Sequence, residues 1–260
     1  MRNLFAKFSN QIEWLSFFSL VLLAWLVLFL MQPGLGDAGI PRLYGVEFWA
    51  SLCAPLTGQS GYFAVFSMWA LMSAAMMAPT FVPTLATYLD LSHTTAANRL
   101  TTAFLLGGYF VVWLVFSAIA AAAQLWLARL GWLSPTGISI NWGFTSFFLI
   151  GAGLYQFSAF KEACLSKCRA PFAFFMANWK EGSFGAAKMG AELGLTCLGC
   201  CWALMSLGFV GGVMNLIWMG IATVLMVLEK LPEIGRYVTR PLGVLLVGAG
   251  VFAGLTAIGI

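Results

Sequence analysis

Seven stretches of this chain are long and apolar enough to be read as membrane-spanning helices, and nothing constrains its fold more. They run over about Ile12 to Met31, Tyr62 to Leu89, Leu100 to Leu127, Trp142 to Phe160, Phe184 to Val210, Val213 to Leu228 and Pro241 to Ile260. Lipid offers no partner to backbone N–H and C=O groups, so a segment that crosses it must satisfy them internally, as a helix does. With 61% hydrophobic and only 8% charged residues, the 260-residue chain lies far from the roughly 25% charged of a soluble domain. The reading is an all-α, polytopic transmembrane helix bundle of about seven spans, forming one integral membrane domain over 1–260. Within it, 33–60 is an extracytoplasmic loop with an interfacial helix near Val46 to Cys53, and 161–183 is a cytoplasmic, cysteine-bearing connection. The first apolar run spans by itself and no small-residue cleavage site follows it, so it is read as an anchor and not as a signal peptide.

Charge orients the bundle. With the amino terminus on one side, Arg2, Lys7, Arg99, Lys161, Lys167, Arg169, Lys180, Lys230, Arg236 and Arg240 fall on that side and only Arg42 and Arg129 on the other, with Lys188 inside a span. Excess Lys and Arg marks the cytoplasmic face, which places the amino terminus inside and the carboxyl terminus outside. The net charge of +4 is spent on topology; no basic patch suits nucleic acid.

Half of the six cysteines sit in Thr196-Cys197-Leu198-Gly199-Cys200-Cys201-Trp202-Ala203-Leu204-Met205, inside the fifth run. At 3.6 residues per turn Cys197, Cys200 and Cys201 share one helix face and Met205 stands one turn further on. Thiolate and thioether sulfurs select Cu(I) over hard cations, and thiolates also take zinc. Buried Cys and Met also serve as ordinary packing residues, and that alternative stays open. A second sulfur stripe, Met68, Met72 and Met76, lies in the second run beside Met77. Pro79 there removes a helix donor and frees a carbonyl about one turn back.

A second cysteine pair, Cys164 and Cys168, is spaced i, i+4 among Lys161, Lys167 and Arg169, in a helix expected to continue until just before Pro171. Nearby cations are expected to raise the thiolate fraction that metal capture and thiol exchange both need. In the fifth run Gly190-x-x-x-Gly194 invites close helix approach, as do Gly107 and Gly108 in the third. Lys188 and Glu192, also i, i+4, are expected to pair. His93, in a polar loop, is read as solvated and Cys53 as a packed free thiol.

Taken together, Met68 through Pro79, Tyr155-Gln156 followed by Lys161, Cys164 through Pro171, and Cys197 through Met205 with Glu229-Lys230 resemble a family of bacterial integral membrane proteins. That family is catalogued as metal-binding and sometimes labelled copper chaperone. The resemblance implies a metal site held by Cys197, Cys200, Cys201, Cys164 and Cys168 with Met68, Met72, Met76, Met77 and Met205, surrounded by Glu192, Lys188, Gln156 and Lys161. The expected cargo is Cu(I), with zinc as the other metal such ligands take. The expected partners are the lipid bilayer and a protein that donates or accepts the metal. In this scheme Cys164 and Cys168 form a cytoplasmic-side acceptor separate from an intramembrane site. Cys197 and Met205, about 12 Å apart along the helix, cannot hold one ion together. Two other readings remain: a thiol oxidoreductase cycling Cys197 with Cys200 or Cys164 with Cys168, and a structural membrane subunit. No catalytic residue is assigned.

Overall fold

A computed structural model describes residues 2–30, 61–92, 99–134, 137–213 and 215–258. The loop over 33–60 with Cys53, and His93, lie outside the described residues. The chain is helical, with a single β-bridge between Leu133 and Ser139 among the described residues. In order the helices are α1 (Arg2–Leu30), α2 (Gly61–Ser92), α3 (Arg99–Arg129), α4 (Trp142–Tyr155), α5 (Ala159–Arg169), α6 (Pro171–Asn178), α7 (Gly182–Ser206), the one-turn α8 (Gly208–Gly211), α9 (Leu216–Lys230) and α10 (Gly235–Ile258).

Among the described residues, four segments are long and apolar enough to cross a membrane: Gly61–Leu91, Leu100–Arg129, Gly182–Gly211 and Gly235–Ala257. Of the other three expected spans, the fourth and sixth come out shorter, while α1 runs on over 29 residues. The described apolar part of α1 is Trp14–Phe29. Helix α4 has 14 residues and α9 has 15, or about 21 and 22 Å of helix against a hydrocarbon core of about 30 Å. The fourth run ends early because Gln156-Phe157-Ser158 turns the chain. Ser158 then restarts it as an N-cap, its hydroxyl oxygen accepting from Lys161 N at 3.1 Å. Gly212, at φ +94°, reverses the chain after Gly211, in a region that favours glycine.

Small residues set how closely the helices pack. A Cβ on Gly108 would lie 2.0 Å from Ala187 O, and one on Gly190 2.0 Å from Leu105 O, so α3 and α7 touch backbone to backbone. Gly194 continues the seam, its Cβ position 3.0 Å from Tyr109 O. The expected role of Gly190-x-x-x-Gly194 is thus met, and α3 and α7 form a rigid pair. Gly153 and Gly250 do the same for α4 against α10, where Ser146 Oγ also donates to Gly250 O at 2.7 Å, and Gly243 makes room for the side chains of Gln156 and Phe157.

Helix α2 carries Pro79 and Pro83 in its interior. Pro79 has no N–H to give to Ala75 O, four residues back. Trp25 of α1 supplies the missing donor, its Nε1 lying 3.1 Å from Ala75 O. Two residues later Met77 O accepts from Thr80 Oγ1 at 2.8 Å and from Tyr109 Oη at 3.4 Å. The distortion is therefore satisfied by side chains of three helices, and it lies beside the cysteines.

Candidate metal centre

Cys197, Cys200 and Cys201 are buried, and their three Sγ atoms lie within 4.8 Å of one another. Helical phase explains the convergence, as expected from the spacing. With metal–sulfur bonds of about 2.3 Å, three sulfurs around one ion stand roughly 4 Å apart, so the trio matches a thiolate metal site in size. Cys200 Sγ is 3.3 Å from Cys201 Sγ and 3.1 Å from Cys197 O.

Helix α5 lies against α7 and adds a fourth thiol. Cys168 Sγ is 3.9 Å from Cys200 Sγ. Cys164 faces the same seam, since a Cβ on Gly199 would fall 2.6 Å from Cys164 Sγ. Tyr155 Oη donates to Gly199 O and fixes this stretch of α7 to the end of α4. The two cysteine groups expected to be separate thus touch through Cys168 and Cys200, with Cys164 against Gly199 on the same seam and both Cys164 and Cys168 half-buried. The expected electrostatics of Cys164 are corrected. Partial burial pushes its thiol above the ordinary range, and Lys167 only partly offsets this.

Cys197 is held from the other side. Lys230 Nζ, at the end of α9, lies 3.0 Å from Cys197 Sγ and 2.8 Å from Thr80 Oγ1, and Tyr109 Oη is 3.0 Å from the same sulfur. Lys230 is 8% exposed, so its charge has left water and needs an anionic or strongly accepting neighbour. Sequence reasoning placed Lys230 among the cytoplasmic loop charges and did not single out Tyr109 or Thr80. The available signal was a Glu229-Lys230 pair closing an apolar helix; Tyr109 and Thr80 carry no distinguishing pattern.

Glu229 and Lys230 diverge to two neighbours. Glu229 Oε2 pairs with Lys161 Nζ at 2.8 Å, each side chain 1% exposed, while Glu229 O accepts from Arg169 Nε at 2.9 Å. Lys161 Nζ also donates to Gln156 Oε1. Lys161 and Gln156 therefore anchor both ends of the α4–α5 turn, and the pair with Glu229 pins α5 over the cluster. Lys161 and Lys230 leave the tally of loop charges, which keeps its sign at eight against two.

Other expected residues fall elsewhere. Glu192 pairs with Lys180 at 2.6 Å and not with Lys188. Gly185 lets Lys180 fold back over the first turn of α7, where the absent Cβ would meet Lys180 at 2.9 Å. Lys188 is exposed on an apolar groove lined by Phe104, Gly107 and Val111. Met68, Met72, Met76, Met77 and Met205 are all buried in the common core. Of these, Met77 is tied to the thiol site through Thr80, whose Oγ1 is 4.0 Å from Met77 Sδ.

A protein-family model named PpoB2, described as copper chaperone, matches residues 66–253. Neither a curated protein nor a solved structure matches the chain significantly. The matched stretch contains Thr80, Tyr109, Cys164, Cys168, Cys197, Cys200, Cys201 and Lys230.

Proposed function

Because the chain belongs to the PpoB2 family, described as copper chaperones, we propose that it is a membrane-embedded carrier of Cu(I). It takes the ion into the thiol cluster and passes it to a protein partner. The observation that carries this reading is the meeting of α5 and α7. Cys168, half-buried, stands 3.9 Å from Cys200, which belongs to the buried trio. Soft thiolates favour Cu(I), and adjacent thiolates let an ion move by ligand exchange without release into water. Zinc is the other ion that such a cluster accepts. The methionines Met72, Met76, Met77 and Met205, with Met68 behind them, serve as weaker thioether ligands along the same core.

Lys230 serves as a fixed countercharge to a Cys197 thiolate in the metal-free site. Tyr109 and Thr80 orient that pair, and Glu229 with Lys161 keeps α5 seated. In the membrane, α1, α4 and α9 complete seven crossings with the four longer spans, the shorter ones met by local thinning of the bilayer. The amino terminus and the α5–α6 connection then face the cytoplasm of a bacterial cell and the carboxyl terminus faces the periplasm. Glu192 and Lys188 lie away from the sulfurs and support the bundle.

The contact between Cys168 and Cys200 also favours a second reading, a reversible disulfide between them, formed as a quinone or a partner's disulfide takes up the two electrons and two protons the thiols lose. Closing it moves the sulfurs by about 2 Å to a bond length near 2.05 Å. Metal content separates the two. Protein purified without oxygen should carry Cu(I) in stoichiometric amount, and the Cys197→Ser, Cys201→Ser double variant should carry none. Cys168→Ser should weaken Cu(I) binding by roughly tenfold or more, the scale seen even for groups that only support a ligand. Zinc in the wild-type protein would replace the metal and keep the site. Protein that holds no metal when purified under reducing conditions, together with a Cys168–Cys200 disulfide trapped in cells, would establish the redox reading instead.

A further inference from the structure

Away from the sulfurs, where the α4–α5 turn meets the start of α10, there is a cleft of about 1120 Å3. Gln156 lines it and is 5% exposed. Its orientation is decided by Lys161, because an ammonium faces the amide oxygen and not the amide nitrogen. That leaves Gln156 Nε2 buried without a hydrogen-bond partner. Such a donor is costly to bury unless an acceptor comes to it.

The same cleft is lined by Arg236 and Arg240, one helical turn apart on α10. Both are exposed, and neither makes a salt bridge among the described residues. Two acids share the lining. Glu162 is engaged by Arg169 Nη1 at 3.4 Å, and Glu233 is exposed. Ser158 Oγ is turned to Lys161 N as an acceptor, so its own proton remains to be donated. The cleft therefore gathers two guanidinium groups, a buried amide donor and a hydroxyl around one space. That set is complementary to a tetrahedral oxyanion, since guanidinium forks match phosphate oxygens and fixed neutral donors complete the shell.

We propose that this cleft is a binding site for a phosphate group, with Arg236 and Arg240 at its mouth and Gln156 Nε2 at its floor. Two sources present that group: the phosphodiester of an anionic phospholipid and a soluble phosphate. Tyr237, 81% exposed beside the arginines, is the type of residue that sits at headgroup level. The site is independent of the thiol cluster, so loss of either assignment leaves the other standing.

The test uses the full chain in a mild detergent. Native mass spectrometry measures retention of phosphatidylglycerol against phosphatidylcholine, and 31P NMR measures binding of inorganic phosphate. Wild-type protein should retain phosphatidylglycerol about tenfold over phosphatidylcholine, or bind inorganic phosphate, and the first outcome assigns the lipid source while the second assigns the soluble one. Arg236→Gln with Arg240→Gln should abolish the binding at unchanged melting temperature, as both side chains are exposed. Gln156→Glu keeps an acceptor for Lys161 but puts an acceptor at the floor, and should also weaken binding by tenfold or more. Absence of both ligands from the wild-type protein would overturn the proposal. Equal binding by the wild type and both variants would overturn it too.

Discussion

Lys230 Nζ lies 3.0 Å from Cys197 Sγ, joining the end of α9 to the middle of α7 across 33 residues of sequence. Both groups are buried, and Thr80 Oγ1 is the ammonium's other close acceptor. Removing one member of a buried charge pair is costly because the other is left uncompensated, by about 3–5 kcal/mol, while replacing both by apolar groups is often neutral. Cys197→Ala should therefore destabilise the protein by that order and Cys201→Ala by less. Adding Lys230→Met to Cys197→Ala should recover most of the loss. Thermal unfolding of the wild type, Cys197→Ala, Lys230→Met and the double variant in one detergent measures the coupling, and additive effects would show that the two side chains do not act as a pair.

The glycines of the α3–α7 seam offer a contrast between adjacent residues. A Cβ on Gly107 meets nothing within 4 Å, whereas one on Gly108 would overlap the backbone of Ala187. Gly107→Ala should leave stability unchanged or raise it slightly through better helix propensity. Gly108→Ala should force the helices apart and cost about 1–3 kcal/mol or more. The comparison is read from melting temperature and expression, and equal behaviour would mean that α3 and α7 are not in backbone contact.

Burial holds the Cys164 thiol above its ordinary range, with Lys167 opposing that shift. A raised value means a smaller thiolate fraction at neutral pH, so alkylation should be slower there than for an exposed peptide thiol. The rate should keep rising with pH beyond the usual thiol midpoint near 8.5. Lys167→Met should move the profile further up. Peptide mapping after timed maleimide labelling at several pH values gives the curve, and an ordinary midpoint would place Cys164 in water.

Topology rests on charge and on the number of crossings. A reporter fused after Ile260 should read as periplasmic and one inserted beside Asn178 as cytoplasmic. Both on one side would mean that the crossings between those two points, α7, α9 and α10, are miscounted, with the short α9 the one that does not cross.

The all-helical class, the long spans over 61–91, 100–129, 182–211 and 235–257, and the shared face of Cys197, Cys200 and Cys201 followed from sequence alone. Each depends on local periodicity and apolar length, which a linear chain displays directly. So did the α5 helix with Cys164 and Cys168, and the tight seam at Gly190 and Gly194. What sequence could not decide were contacts between residues far apart in the chain. The approach of Cys168 to Cys200 depends on Gln156-Phe157-Ser158 turning α5 back onto α7, and a turn of three residues leaves only a weak trace in sequence. The pairing of Glu192 with Lys180 in place of Lys188 depends on a chain reversal over Gly185. Lys230 looked like a loop charge because hydropathy counts a lysine at a helix end as solvated. Only the tertiary structure, by enclosing that helix end among α2, α3 and α7, places its ammonium against a thiol.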